Sequence, residues 1–290
     1  MTARSIDGVA CGAAVEDGLS PRIAALSAIG SVPHLAVVIV GSDPASHVYV
    51  GAKERACERL GIRSTRVDLS ADCTFEEVSA TVSNLNSDPD VNGILVQSPL
   101  PDGMDEVSIT DLIDPAKDVD GFNAANLGRL VQGDVSGLLP CTPAGVMQML
   151  DFAGVEVSGA RAVVLGRSRI VGMPMALLLA QKGADATVTI AHSRTQDLAA
   201  VCREADILIA AVGRAEMVQA DWVKPGATVI DVGVNRIDDD SRESGNRLAG
   251  DVHPEVAEVA GALSPVPGGV GPMTIAMLMS NTVRATEMQR

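Results

Sequence analysis

A chain of 290 residues that is 47% hydrophobic and 20% charged can build one large or two medium globular domains, and it is too apolar to be disordered. Aromatic residues make up only 2%, so the core must be aliphatic. A net charge of -15 argues against a nucleic-acid or anionic-lipid binder, because both need clustered Lys and Arg.

The five cysteines, Cys11, Cys57, Cys73, Cys141 and Cys202, are odd in number, widely spaced and without a C-x-x-C pair. They read as free thiols of a cytoplasmic protein, with no disulfide framework and no metal site. No charged segment followed by an apolar run opens the chain, so no signal peptide is expected. Apolar runs such as Leu35–Val40 are strand-length and too short to cross a bilayer.

In chain order, "HLAVVIVG" from His34 is a buried strand and "SHVYVGAKERACERLG" a helix ended by Gly61. "IRSTRVDL" is a second strand. "TFEEVSATVSNLNSD" is a second helix, stopped at Asp88-Pro89, and "VNGILVQSPLP" a third strand. This β-α-β-α-β order predicts a mostly parallel sheet covered on both faces. A stretch rich in Asp, Gly and Pro, from Pro99 to Pro143, separates it from a second alternating unit. There "ARAVVLG", "ATVTIAHS", "DILIAAVG", "ATVIDVG" and "RLAGDV" are strands, and "MPMALLLAQKG" and "DLAAVCREA" are helices. The acidic "DDDSRES" reads as a solvated loop, and "GPMTIAMLMSNTVRATEMQ" as a last helix.

The turn "VVLGRSRIVGMP" runs from a strand exit, Gly166, to a helix start at Gly172 and Pro174. Such a turn aims backbone N–H groups and a helix dipole at a phosphate. The spacing is not G-x-G-x-x-G, and on this turn alone an ordinary tight β-to-α connection stands equally. The next strand adds to the case. It ends in His192, Ser193 and Arg194, without the acid that would hold an NAD ribose. Arg167 lies in the turn itself. Arg and Ser beside the ribose suit a 2'-phosphate, which favours NADP; the alternative is that Arg167 and Arg194 are solvated surface charges.

Tyr49 is the only tyrosine, and Lys53, one of four lysines, follows it by one helical turn. A lysine in a cleft loses solvation and becomes a usable acid or base. A neighbouring tyrosine can stack on a flat ring. The pair alone does not exclude a snorkelling surface lysine. Tyr-x-x-x-Lys also occurs in short-chain dehydrogenases, but there the glycine turn precedes the pair, the reverse of the order here.

Several separated blocks carry a more specific pattern: "VGSDPASHVYVGAKERACERLGI", "NGILVQSPLP", "KDVDGFN", "PCTPAGV", "GRSRIVGMP", "VIDVGVNR" and "SPVPGGVGPMT". Across essentially its whole length the chain resembles bifunctional methylenetetrahydrofolate dehydrogenase/methenyltetrahydrofolate cyclohydrolases. The resemblance implies two α/β domains with a cleft between them. The first, residues 1–138 with 270–290, would bind folate. The second, residues 139–269, would be a Rossmann-like doubly wound parallel sheet that binds NADP.

The resemblance also implies roles. Tyr49 would stack on the folate rings and Lys53 would move the proton of the cyclohydrolase step. Gln97 would hydrogen-bond Lys53, and Asp120 would hold the amino-pyrimidine edge of the pterin. Pro267, Gly268 and Gly269 would wall the folate site. Gly166, Arg167, Ser168, Ser193, Arg194, Val234 and Thr274 would contact the cofactor. A homodimer formed through the nucleotide-binding units is implied as well. Taken alone, Asp120 could be a turn residue and Gln97 a polar strand end.

Three positions depart from the usual family pattern. Ala144 stands where Lys or Arg is usual, Ser98 where Leu is usual, and Asn123 where His is frequent. These departures bear on affinity rather than on reaction class. Two other readings stand beside this one: a different two-domain NADP dehydrogenase, such as a shikimate-dehydrogenase-like protein, and a non-catalytic folate- or nucleotide-binding regulator.

Overall fold

A computed structural model describes residues 2–242 and 245–290, apart from the side chains at positions 44 and 45. The elements begin with β1 (Arg4–Ser5), α1 (Gly8–Ala28), β2 (His34–Val40), α2 (Pro44–Leu60), β3 (Arg63–Leu69), α3 (Phe75–Ser87) and β4 (Gly93–Val96). Next come α4 (Glu106–Leu112), α5 (Ala124–Val131), α6 (Cys141–Phe152), β5 (Arg161–Leu165), α7 (Gly172–Ala180), β6 (Thr187–Ala191), α8 (Leu198–Arg203) and β7 (Ile207–Ala210). The last are β8 (Thr228–Asp231), β9 (Asn235–Asp238), β10 (Asn246–Ala249), β11 (Ala262–Leu263) and α9 (Val270–Met288).

The chain packs as two units whose boundaries fall inside α1, α6 and α9. One holds residues 13–141 and 275–290, the other residues 1–12 and 142–274. In the first unit the three strands run parallel in the order β3-β2-β4. Every residue of β2 is buried, because both faces of the strand are covered. Leu35, Val37 and Ile39 pack in one cluster with Val50 of α2 and Met279 of α9. Val38 and Val40 face the other way, onto Val78 of α3 and Ile109 of α4.

Local chemistry sets the helix ends. Asp43 caps α2 by accepting hydrogen bonds from Ser46 N at 2.8 Å and Ser46 Oγ at 2.9 Å. Thr74 and Glu77 form a reciprocal capping box at the start of α3. Asn123, the departure from a frequent His, caps α5. Its Oδ1 accepts from Ala125 N at 2.8 Å, and its Nδ2 donates to the Ile113 carbonyl at 2.9 Å.

The second unit is a six-stranded parallel sheet in the order β1-β11-β8-β7-β5-β6. Val163, Leu165, Leu208, Ala210 and Val229 from its central strands share a core with Cys202, Val218, Val252 and Val256. The first twelve residues belong here and not with the domain that the sequence reading gave them. The cause is tertiary: two-residue β1 pairs with β11, Arg4 opposite Ala262 and Ser5 opposite Leu263.

A second difference is the strand read in "RLAGDV". β10 does not join the parallel sheet but forms an antiparallel hairpin with β9, Arg247 opposite Ile237. The acidic segment read as a solvated loop begins at the end of β9 and runs toward β10. Its last two residues, Glu243 and Ser244, lie outside the described residues. A third is α1, which the sequence reading passed over. Its buried hydrophobic positions, Cys11, Leu19, Ile23 and Leu26, are few and widely spaced in a helix otherwise rich in Ala and Gly.

Candidate active site

In the unit built on β3-β2-β4, two strand ends and two helices bring a group of polar residues together. Lys53 projects from the middle of α2 and is buried, with 8% of its surface accessible. Its Nζ donates to Gln97 Oε1 at 2.9 Å. Gln97 follows β4, where its backbone N–H continues the ladder by donating to the Val38 carbonyl at 2.8 Å. Its own Nε2 donates to the Ser98 carbonyl at 2.6 Å, which leaves Oε1 facing the lysine. Ser98 itself is exposed and packs no core.

Burial pushes the Lys53 ammonium below its ordinary range, with the charges of Asp120 and Cys141 opposing. Burial likewise lifts the Asp120 carboxyl to about 6. Lys53 holds it down, and the nearby Asp118 pushes it further up. Each group therefore titrates nearer neutrality than in water, and each tempers the other's shift. Tyr49, one turn before Lys53, is 42% exposed, so its ring is free to cover a flat ligand.

The turn that presents Asp120 is fixed by its neighbour. Asp118 is buried and accepts from Asn123 N at 2.7 Å, Asn126 Nδ2 at 2.9 Å and Gly121 N at 3.2 Å. Cys141 donates its thiol to the Val119 carbonyl at 3.2 Å, and burial raises its pKa well above the ordinary value. Asn281 of α9 donates to the carbonyls of Val119 and Leu139, both at 2.8 Å. Asp118, Cys141 and Asn281 were not singled out from the sequence. Nothing local marks Asn281, which acts on residues far away in the chain.

In the other unit, a cavity of about 270 Å³ opens at the C-terminal ends of β5, β6 and β7. That is where doubly wound sheets bind nucleotides. Gly166, Arg167, Ser168 and Ser193 line it, together with His192, Ala211, Val212, Arg214 and Met217. Gly166 sits at φ 129°, and a side chain there would overlap the Ala211 carbonyl, so the turn demands glycine. Ser168 Oγ accepts from Val171 N at 3.1 Å and Gly172 N at 3.3 Å, holding the turn onto α7.

Two arginines and no carboxylate line this cavity, so in a protein of charge -15 it suits a nucleotide with an additional phosphate. Arg194 is exposed and is not among the lining residues. Val234 and Thr274 also lie outside this cavity; Thr274 Oγ1 is 2.9 Å from Thr142 Oγ1. Ala144 is buried in α6, where no charge of a usual Lys or Arg is present. Val212, Arg214 and Met217 were missed from the sequence, although their place just beyond a strand exit is the available signal.

Residues 6–120 match the tetrahydrofolate dehydrogenase/cyclohydrolase catalytic domain model, and residues 140–290 match the NAD(P)-binding domain model of the same family. A relative from Acidiphilium cryptum, "Bifunctional protein FolD", is 56% identical over 291 residues, covering 100% of both chains. The crystal structure of a bifunctional FolD methylenetetrahydrofolate dehydrogenase/cyclohydrolase from Campylobacter jejuni is similar with a TM-score of 0.93 and 44% identity, covering 98% of this chain and 99% of that one. A Trypanosoma brucei N5,N10-methylenetetrahydrofolate dehydrogenase-cyclohydrolase, complexed with NADP cofactor and inhibitor, has a TM-score of 0.93 at 39% identity. The match covers 99% of this chain and 98% of that one.

Proposed function

Since this chain belongs to the tetrahydrofolate dehydrogenase/cyclohydrolase family, we propose that it oxidises 5,10-methylenetetrahydrofolate with NADP⁺ and hydrolyses the methenyl product to 10-formyltetrahydrofolate. The observation that carries the reading is the buried Lys53 ammonium, low in pKa and bonded to Gln97, with the Asp120 carboxylate in its field.

When bound, NADP⁺ supplies the hydride acceptor of the first step. The protein's part there is positioning, which alone is worth several powers of ten in rate. Asp120 accepts two N–H groups from the pterin edge, and Tyr49 covers the rings. Pro267, Gly268 and Gly269 form a wall for the folate. Arg167, Ser193 and Arg194 take the 2'-phosphate, Gly166 and Ser168 the pyrophosphate side, and Val234 and Thr274 the remaining cofactor contacts.

In the second step, neutral Lys53 accepts a proton from the water that attacks the methenyl carbon. It returns a proton to the ring nitrogen as the C–N bond opens. A depressed pKa is what makes the neutral amine available. One substrate site serves both steps, because the oxidation product is the hydrolysis substrate. A non-catalytic regulator would have no use for a buried, proton-transferring lysine.

We further infer that the protein works in the cytoplasm as a homodimer joined through the nucleotide-binding units. β6 ends the six-stranded sheet with Ile190 exposed, so an unpaired edge is available there. Light scattering at micromolar concentration checks the dimer; a monomer contradicts it.

The activity is tested by following absorbance of the protein with methylenetetrahydrofolate and either NADP⁺ or NAD⁺. Turnover with higher kcat/KM for NADP⁺ is expected. No turnover would remove the functional reading, and equal or better use of NAD⁺ would remove the cofactor assignment.

A further inference from the structure

Asp251 and Asp231 are both buried, and the two proposed reaction steps use neither. Asp231 ends β8. Its Oδ1 accepts from Gly233 N at 3.0 Å and from Asp251 N at 2.9 Å, and its Oδ2 from Val252 N at 3.0 Å. The chain passes so close that a side chain at Gly250 would overlap the Asp231 carboxylate. Asp231 thus fixes the backbone on both sides of Asp251, just beyond the β9–β10 hairpin.

The Asp251 carboxylate reaches back to the strand exit that walls the nucleotide cavity. Its Oδ2 accepts from Val212 N at 2.6 Å and Gly213 N at 2.9 Å. Its Oδ1 accepts from Arg214 N at 2.8 Å and Asn235 Nδ2 at 2.9 Å. Three successive backbone N–H groups converging on one point form a concavity that binds an anion. Here the anion is the protein's own side chain, fully buried, so the nest is closed to a ligand from outside. Val212 and Arg214, whose N–H groups it holds, both line the cavity. The adjoining segment is tied down as well: Glu216 N donates to the Gly250 carbonyl and Val218 N to the Asp251 carbonyl, both at 2.9 Å.

We propose that Asp251 is a positioning residue for the dinucleotide: by clamping three successive N–H groups it sets the cavity wall that carries Val212 and Arg214. It touches no ligand. It acts by holding a loop, otherwise free to turn its N–H groups outward, in the one shape that leaves room for the nucleotide. The proposal rests on the NADP reading above for the identity of the ligand. It also explains why a hairpin that adds nothing to the parallel sheet is packed beside the cofactor wall: the hairpin delivers Asp251 and, through β9, Asn235.

The test is Asp251→Asn in the full-length protein. This change keeps the size but sets an NH₂ group against backbone donors. NADP⁺ binding is measured by calorimetry, and hydrolysis of methenyltetrahydrofolate is measured without nucleotide. The NADP⁺ dissociation constant should rise about tenfold or more, as expected for loss of charge-assisted hydrogen bonds. The dehydrogenase KM for NADP⁺ should rise with it, while kcat at saturation and the nucleotide-independent hydrolysis stay within about twofold.

Unchanged NADP⁺ affinity in the folded variant overturns the proposal. So does a parallel fall of hydrolysis, which would mean that Asp251 serves the fold in general. If Asp251→Asn does not fold, Asn235→Ala removes only one of the four bonds; it should weaken NADP⁺ binding by a few-fold, and wild-type affinity there overturns the proposal. A wild-type protein that binds NADP⁺ but turns over no folate would defeat the functional reading and leave this one standing.

Discussion

Lys53 and Lys117 lie in the same unit, and each has less than a tenth of its surface accessible. Lys117 Nζ donates to three backbone carbonyls, those of Leu85 at 3.2 Å, Asn86 at 2.9 Å and Asp88 at 2.7 Å. The first two are among the last carbonyls of α3, which have no partner within the helix, and Asp88 caps its end, so the ammonium neutralises the negative end of the helix dipole. Among the described residues Lys53 has one acceptor, Gln97 Oε1, and it stands in the middle of its helix. Burial lowers both pKa values. Three fixed acceptors make one lysine a structural part. A single acceptor leaves the other with N–H capacity unspent and a proton it can release. Burial alone does not separate a catalytic lysine from a structural one; the number and kind of acceptors do.

The sharpest break of this comparison is in catalysis. Lys53→Met should lower methenyltetrahydrofolate hydrolysis by about 10²–10⁴, the usual contribution of general acid–base catalysis, while folate binding largely survives. The dehydrogenase step needs no strong base and should lose less. Lys117→Met should leave the hydrolysis rate per folded molecule near wild type. Steady-state assays of each half-reaction with folate titration decide this, and near wild-type hydrolysis by the Lys53 variant would refute the proposed mechanism.

Stability should move in the opposite sense. Lys117→Met strands the carbonyls of Leu85 and Asn86, while Val91 N still holds that of Asp88, and should cost about 2–3 kcal/mol in a denaturant titration. Lys53→Met removes a poorly compensated buried charge and should be neutral or stabilising by about 1 kcal/mol near pH 7. The lowered Lys53 pKa means that the folded state binds fewer protons than the unfolded chain between that value and the ordinary 10.5. Wild-type stability therefore gains a rising contribution across that alkaline window, and Lys53→Met should lack it. A large loss of stability in the Lys53 variant would make it a structural residue like Lys117.

How much of this contrast was visible beforehand depends on the range of each interaction. α2 was legible because its helical spacing and the terminating Gly61 are local, though it was read from Ser46 and begins at Pro44, and Lys53 came with it. β2 was legible as a continuous apolar run. Lys117 stands inside the quoted "KDVDGFN", yet its role depends on α3 ending against it. The same holds for Asn281, for the pairing of β1 with β11, and for Asp251, whose three backbone donors lie 37 to 39 residues earlier in the chain. Strand exits beyond β5 and β6 were read for the nucleotide site, but that beyond β7 was not, since Val212 and Arg214 match no phosphate motif.

A smaller effect follows from pH. With its carboxyl lifted to about 6, Asp120 is ionised above that pH and protonated below it. Folate affinity of the free protein should thus weaken as pH falls through 6, by up to about tenfold per unit. Asp120→Asn should bind more weakly at pH 8 but lack this dependence. Lys53→Met should move the limb upward, because the positive neighbour that favours the carboxylate is gone. A pH-independent affinity in the wild type between 5 and 8 would show that Asp120 does not hold the pterin.

Gln97→Ala tests the one bond that distinguishes Lys53 from its buried counterpart. Gln97 Oε1 accepts from the ammonium more strongly than from the neutral amine, so it works against the desolvation that lowers the Lys53 pKa. Removing it should lower that pKa further. The pH profile of hydrolysis should shift to lower pH by about one unit, the size expected for a hydrogen bond to a charged group. Hydrolysis at the new optimum should fall less than in Lys53→Met. The combined Lys53→Met and Gln97→Ala change should cost little more than Lys53→Met alone, since residues that act as a unit are not additive. If Gln97→Ala lowers the rate without moving the profile, Gln97 touches the substrate and does not act through Lys53. If the double change is fully additive, the two residues work independently, and the single acceptor is not what sets Lys53 apart from Lys117.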